Sequence, residues 1–204
     1  MDVMRVQKIV KGVLRRIAHR TRIRVLRAHC RASEVTCPEG FALVRARGTS
    51  AGATPSLIES AMREAGEPSG LVSPRLAHGD EFFGWLSGNR IVSFGWVCHS
   101  DRSVGPARLT EAAGRAFLFN FHTAAAHRGR GLYPSLLIAM QNVLASEGLT
   151  ELIIDVNVLN TVSARAIARA GFAPVGHITY TTILGRWHHV HTQPPLDLAG
   201  PLLC

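Results

Sequence analysis

Two arginines alternate with two glycines at Arg128-Gly129-Arg130-Gly131, and Leu132, Tyr133 and Pro134 follow. Before them, 115–123 alternates as a strand does, with Phe117, Phe119 and Phe121 expected on one face and Leu118, Asn120 and His122 on the other. After them, 135–146 is Leu/Ala/Met-rich with no internal glycine or proline, as in a buried helix. A strand-to-helix turn of this composition is suited to an anion. The helix start offers unpaired N–H groups and the positive end of the dipole. Glycine lets a ligand approach the backbone closely, and arginine adds forked donors for phosphate oxygens. The chemistry indicated is recognition of a phosphate-bearing ligand.

The elements that must position this turn follow from the same patterns. A first strand is expected over 41–47, and Thr54-Pro55 opens a helix that Gly66 ends. The aromatic runs 81–86 and 90–99, joined through Ser87-Gly88-Asn89, read as an antiparallel hairpin with Val92, Phe94, Trp96 and Cys98 sharing a face. Residues 66–74 and 100–114 read as connectors. A strand over 151–158, a short helix from Asn160 to Ala170 and a strand over 177–184 complete the series. The fold class expected is α/β (α+β), a mixed, partly antiparallel central sheet flanked by helices. The repeated strand-helix units of a doubly wound nucleotide fold are absent.

The charge is unevenly distributed. Residues 1–31 hold ten Lys/Arg against the single acid Asp2, which accounts for the whole net charge of +9. The body is formally neutral, so its charge gives no reason to expect nucleic-acid binding, and residues 1–31 lack aromatics for base stacking. Apolar residues at Val3, Val6, Val10, Val13, Leu14 and Ile17 mark an amphipathic helix over 3–18. Its apolar stripe could pack on the body, on a second copy in a homo-dimer, or on an anionic membrane surface. Residues 19–38 fit a connector and a short strand at Arg22–Val25 equally well. Cys30, Cys37, Cys98 and Cys204 have no paired spacing, which points to a reducing compartment and to no metal site. No apolar run spans a membrane. The expectation is a cytoplasmic protein, peripheral at the membrane if the arm binds lipid.

Arg128-Gly129-Arg130-Gly131-Leu132 resembles the Arg/Gln-x-x-Gly-x-Gly/Ala signature of the GCN5-related N-acetyltransferases, the GNAT superfamily. Asn160-x-x-Ser163, with Ala170-Gly171-Phe172 and Val175-Gly176, is similar to its later motif. The resemblance covers about 41–185. It divides the chain into a basic N-terminal extension (1–40), an acyltransferase domain (41–191) and a tail (192–204). It implies an acyl-CoA site, with acetyl-CoA as co-substrate. The pyrophosphate would lie on the backbone of Gly129, Gly131, Leu132 and Tyr133, with Arg128 and Arg130 beside it. The pantetheine would run along the strand ending at Thr123-Ala124, with Asn160 of the second motif bonding the pantetheine or the acceptor side and Ser163 helping to hold the cofactor. Two departures stand out: the signature's last small residue is Tyr133, and the family's frequent acid tyrosine, seven residues after the asparagine, is Ile167. Tyr180 is a conceivable substitute, as is water.

The reaction implied is direct attack by an acceptor amine on the thioester, without an enzyme nucleophile. The chain must orient the acceptor and take its proton. His122 and Asn120 near the strand end, and Asp155 on the next strand as base or acceptor-binding acid, are the candidates; His122 fits a purely structural role equally well, and Asp155 fits a half-exposed strand carboxylate better. The function expected is acyl transfer to an amine of a small molecule or sugar. The alternative is a catalytically degenerate CoA-binding or scaffolding domain working through its basic arm.

Overall fold

Two aromatic runs build one hairpin of the sheet. β4 (Glu81–Ser87) and β5 (Arg90–Cys98) pair antiparallel across the Gly88-Asn89 turn, and Phe82, Phe83, Trp85, Phe94 and Trp96 are all buried. The computed structural model describes residues 18–30, 33–48, 50–184 and 186–193. Around the hairpin lie β1 (Ala18–His29), β2 (Ala42–Arg47), the short β3 (Ser50–Ala51), β8 (Arg115–Thr123), β9 (Glu151–Asn157), β10 (Ala173–Ile183) and β11 (Arg186–Gln193). The nine strands run β11-β10-β1-β9-β8-β5-β4-β2-β3. All pairings are antiparallel except β8 with β9.

Helices cover both faces, as the mixed layering expected from the sequence requires. On one face α1 (Pro55–Glu64) and α2 (Val72–Ala77) pack with a small hairpin, β6 (Arg102–Val104) and β7 (Ala107–Leu109), over Val25, Phe82, Phe94, Trp96, Phe117 and Phe119. The α1 start is the one expected: Thr54 caps it by accepting from Leu57 N–H, with Pro55 next, a cap worth about 1 kcal/mol. On the other face α3 (Leu132–Ser146) and α4 (Thr161–Arg169) cover Leu26, Trp85, Val97, Leu118 and Ile154. α3 is apolar almost all round, which fits its buried position.

Several expectations need correction. Phe94, Trp96 and Cys98 do share a face, but Val92 lies on the opposite one, because the β4–β5 register shifts between Trp85 and Leu86. The stretches read as connectors hold α2 and the β6–β7 hairpin. The largest difference is at the N-terminus. Residues 18–29 form a full strand between β9 and β10, inside the sheet that an extension ending at residue 40 would leave behind. Glu151 of β9 ties this strand in, pairing with Arg27 at 3.1 Å and with Arg115 of β8. Of the helix expected over 3–18 only Ala18 is described, and it opens β1; of the tail expected over 192–204 only Thr192 and Gln193 are, and they end β11; the rest of both lies outside the described residues. No helix of the described residues is long and apolar enough to cross a membrane.

Candidate active site

The parallel ladder between β8 and β9 runs only from Arg115↔Glu151 to Leu118↔Ile154. Beyond it the two strands part, and the edges of 119–123 and 155–157 face each other without a ladder. At this point β8 changes its own pattern. Asn120 and Phe121 together oppose the single Gly95 of β5, a β-bulge, and Asn120 takes φ +52. Asparagine is among the few residues that tolerate the left-handed region. A Cβ on Gly95 would sit 2.1 Å from the Phe121 ring, so only glycine lets that ring lie across β5.

The bulge overturns the alternation expected for this strand. Phe117 and Phe119 face α1, but Phe121 turns to the α3 side, where its ring lies 5.1 Å from that of Tyr133. His122 turns to the α1 side and stacks on Phe94 at 5.8 Å. It lines a cavity of about 260 Å³ with Ala61, Glu64, Arg90, Phe94 and Arg128. Burial, then the Arg128 guanidinium, holds its imidazole below the ordinary histidine value. Asp155, on the other arm, follows the same face as Ile153. Its carboxyl is pushed up by burial, and Arg102 only partly offsets this. Of the three candidates, His122 lines this cavity, while Asn120 and Asp155 lie on β8 and β9 just beyond the end of their ladder.

The glycine-rich turn lies where the sequence places it. A 3-10 turn, Ala125–His127, leads to Gly129 (φ +77) and Gly131 (φ +73), the latter the N-cap of α3. No atom lies within 4 Å of a Cβ built on either, so φ alone demands glycine there. No side chain caps α3. Trp85 pins its start to β4, donating from Nε1 to Leu132 O and Ser135 Oγ, both at 3.1 Å. Arg130 is exposed. Arg128 is tied back, its Nε donating to Thr123 O at 3.0 Å.

Other candidates have engagements the sequence did not reveal. The Ala124 N–H already donates to Val92 O at 2.8 Å, and the Thr123 hydroxyl bonds Ser93 at 2.9 Å. Asn160 caps α4, accepting from Ser163 N at 3.1 Å. Ser163 Oγ bonds the Tyr133 hydroxyl at 3.4 Å. Tyr133 thus reaches from Phe121 of β8 to the start of α4, across the gap between the parted strands. Burial pushes its phenol up to about 12. Ile167 is fully buried in the α3-side core, and Tyr180 packs under Gly105 of the β6–β7 turn. Ile167 has no proton to give.

Two groups of residues escaped the sequence reading because they come from separate elements. Arg75 of α2 and Arg102 of β6 converge on the Phe119 ring, 5.3 and 3.8 Å from its centroid. His78, Asp80 and Cys98 bring their donor atoms within 4.8 Å of one another. His78 bonds Asp80 at 3.2 Å, Cys98 bonds Ser100, and burial holds the thiol protonated.

The sequence model of the acetyltransferase (GNAT) family matches residues 54–172, more than half of the chain. No curated protein matches it in sequence. Among solved structures, a GCN5-related N-acetyltransferase from Sphaerobacter thermophilus is 17% identical with a TM-score of 0.60, and the alignment covers 87% of this chain and 56% of that one. A GNAT-family acetyltransferase from Colwellia psychrerythraea gives 18%, 0.54, 83% and 59%. An acetyltransferase of the same family from Novosphingobium aromaticivorans, described as putative, gives 17%, 0.56, 80% and 63%. At these identities the likeness is one of fold. The chain spans little more than half the length of these proteins.

Proposed function

The chain belongs to the acetyltransferase (GNAT) family, and from that premise we propose that it transfers an acyl group, acetyl in the first instance, from acyl-CoA to an amine of a small-molecule or sugar acceptor. The observation that carries the reading is the bulged, open fork of β8 and β9 beside a glycine-rich helix start. The turn fits a diphosphate: the positions of Gly129 and Gly131 are open, and by helix geometry the first N–H groups of α3 are unpaired. Arg130 and the free nitrogens of Arg128 would add charge there. The edges of 119–123 and 155–157 would take the pantetheine amides as an added strand does.

Bound acyl-CoA supplies an activated thioester acyl group. The rest falls to this chain. His122, neutral near pH 7 because its imidazole is held low, would accept the acceptor's proton from the cavity it lines. The Asn120 bulge would aim the backbone donors of the fork at the reacting carbonyl. Asp155, held high by burial, is the second proton acceptor, on β9 just beyond the ladder. Burial makes the Tyr133 phenol a poorer acid than an ordinary tyrosine. A thiol of pKa ~8–9 can leave as the thiolate and take its proton from bulk solvent afterwards, so no side-chain acid is required.

Calorimetry with acetyl-CoA, followed by free-thiol release over a panel of amines, amino sugars and peptides, tests the proposal. Saturable binding together with acceptor-dependent thiol release is the expected result. A second reading, a CoA-binding domain without turnover, is favoured by Tyr133 lying across the fork and by the buried Ile167. Binding without thiol release for any acceptor would select it. Absence of binding would remove both.

A further inference from the structure

One cluster of side chains has more hydrogen-bond donors than partners. The Arg102 guanidinium lies 3.8 Å over the Phe119 ring. That of Arg75 lies 5.3 Å from the same ring and 5.0 Å from the Trp96 ring. Arg75 Nη1, Arg102 Nε and Trp96 Nε1 are all shielded from solvent and bond nothing among the described residues. Neither arginine makes an ion pair among the described residues, whereas Arg27, Arg45, Arg47, Arg90, Arg108 and Arg115 all do. Burial disfavours the charge on both, and for Arg102 repulsion from Arg75 adds to it as the weakest influence. Glu67, Asp80 and Asp155 attract them without an ion pair, and Asp80 is already bonded to His78.

Two like charges sharing one ring, with unmatched donors around them, form an arrangement that is unfavourable by itself. An oxyanion between them would satisfy the guanidinium donors and offset the repulsion. Both arginines stay partly exposed, so their guanidinium groups are reachable, whereas Trp96 is fully buried. Its place is specific. Phe119 immediately precedes the Asn120 bulge, and Asp155 is the first residue of β9 beyond the ladder with β8. The cluster therefore borders the fork on the face that also carries His122.

We propose that Arg75 and Arg102 bind a carboxylate of the acceptor, so that the acceptor is an amine of the amino-acid class. The proposal rests on the acyl-transfer reading above. A carboxylate suits the site better than a phosphate dianion, because Asp80 and Asp155 already supply negative charge nearby and the guanidinium fork matches a planar carboxylate.

The test is thiol release from acetyl-CoA with three matched acceptors: an amine bearing a carboxylate, its primary amide, and its phosphonate counterpart. The wild-type KM should be about 10- to 100-fold lower for the carboxylate than for the amide. Arg102→Gln and Arg75→Gln should each abolish most of that difference while leaving acetyl-CoA affinity, read by calorimetry, where it was. Arg102→Lys, which keeps the charge and loses the fork, should retain an intermediate preference and serves if a Gln variant misfolds. Equal KM for carboxylate and amide in the wild type, a preference that survives both Gln changes, or a preference for the phosphonate would overturn the proposal. Should the protein turn over no acceptor, the acyl-transfer reading fails on its own. Direct titration of carboxylate and amide ligands then reads the site: binding of the carboxylate alone, lost in Arg102→Gln, supports it, and no binding overturns it.

Discussion

His122 is acted on from several sides. Burial and the Arg128 guanidinium disfavour the imidazolium, while Glu67 and Glu64 oppose them more weakly, and the net shift is downward from about 6.5. If this imidazole takes the acceptor's proton, activity rises with pH through a value below the ordinary histidine range. Arg128→Gln removes a positive neighbour, so the inflection should move up; a pH profile of kcat/KM reads it. His122→Asn should lower kcat by about 100- to 10,000-fold and erase the inflection. If it persists, the proton acceptor is Asp155, and Asp155→Asn becomes the informative variant. Tyr133 supports a different expectation. Its ring contacts Phe121 at 5.1 Å and its hydroxyl reaches Ser163 at 3.4 Å, so a chain entering the fork must move it. Giving up one aromatic pair and one weak hydrogen bond costs about 1–2 kcal/mol. Tyr133→Ala should then bind acetyl-CoA about tenfold more tightly by calorimetry, and weaker binding would mean that the ring is part of the pocket wall.

At the scale of elements, a buried carboxylate holds the far edge of the sheet together. Glu81 of β4 has a fully buried side chain and is bonded by Arg45 of β2 at 2.8 Å and by His99, just past β5, at 2.8 Å; Arg47 lies at 3.3 Å. Burial pushes its pKa up, but the bonds from His99 and Arg45 outweigh this and leave it low. A carboxyl with a lowered folded pKa contributes stability that is fully present above its unfolded value, about 4.3, and is lost as pH falls through the folded one. Glu81→Ala takes one partner from Arg45 and from the His99 ring, while Arg45 and Arg47 keep Glu147, and should cost about 1–3 kcal/mol near pH 7. Denaturant melts at pH 7 and at pH 3 check both parts: the difference between wild type and variant should shrink at the lower pH. None of this network was visible in the chain, because Arg45, Glu81 and His99 meet only through the β2–β4–β5 register. The elements themselves were legible. Thr54-Pro55 and the Gly88-Asn89 turn carry local backbone chemistry, and residues 135–146 announce a buried helix by composition. The bulge was not legible. Phe117, Phe119 and Phe121 alternate without a break in sequence, and only Gly95 on the partner strand reveals that one of the three turns away.

For the molecule as a whole, the N-terminal region is where charge and pattern compete. Ten basic residues in the first thirty-one suggest a solvated arm, yet within 22–28 the apolar residues Ile23, Val25, Leu26 and Ala28 are all buried. Ile23 and Val25 enter the core beneath α1, Leu26 and Ala28 the core beneath α3, so this one strand contributes to both layers. The Arg22-Ile23-Arg24-Val25 alternation was the local signal, and the surrounding charge obscured it. A strand with ladders on both sides is held by more than its propensity. Each large apolar side chain it buries is worth about 1.5–3 kcal/mol, against a total stability of about 5–15 kcal/mol for a typical domain. Deleting residues 1–31 should therefore abolish cooperative thermal unfolding and leave β9 and β10 with exposed edges prone to association. Deleting only 1–17 should leave the melt and the far-UV circular dichroism close to those of the whole chain. The pair of truncations separates two roles that charge alone merges. If the short deletion alone abolishes binding to anionic liposomes, the basic residues before Ala18 act outside the fold, while those from Arg20 to Arg27 sit on the strand that closes it. If the long deletion still melts cooperatively, the sheet closes without β1, and the ladders of β1 with β9 and β10 contribute less than their two-sided register implies.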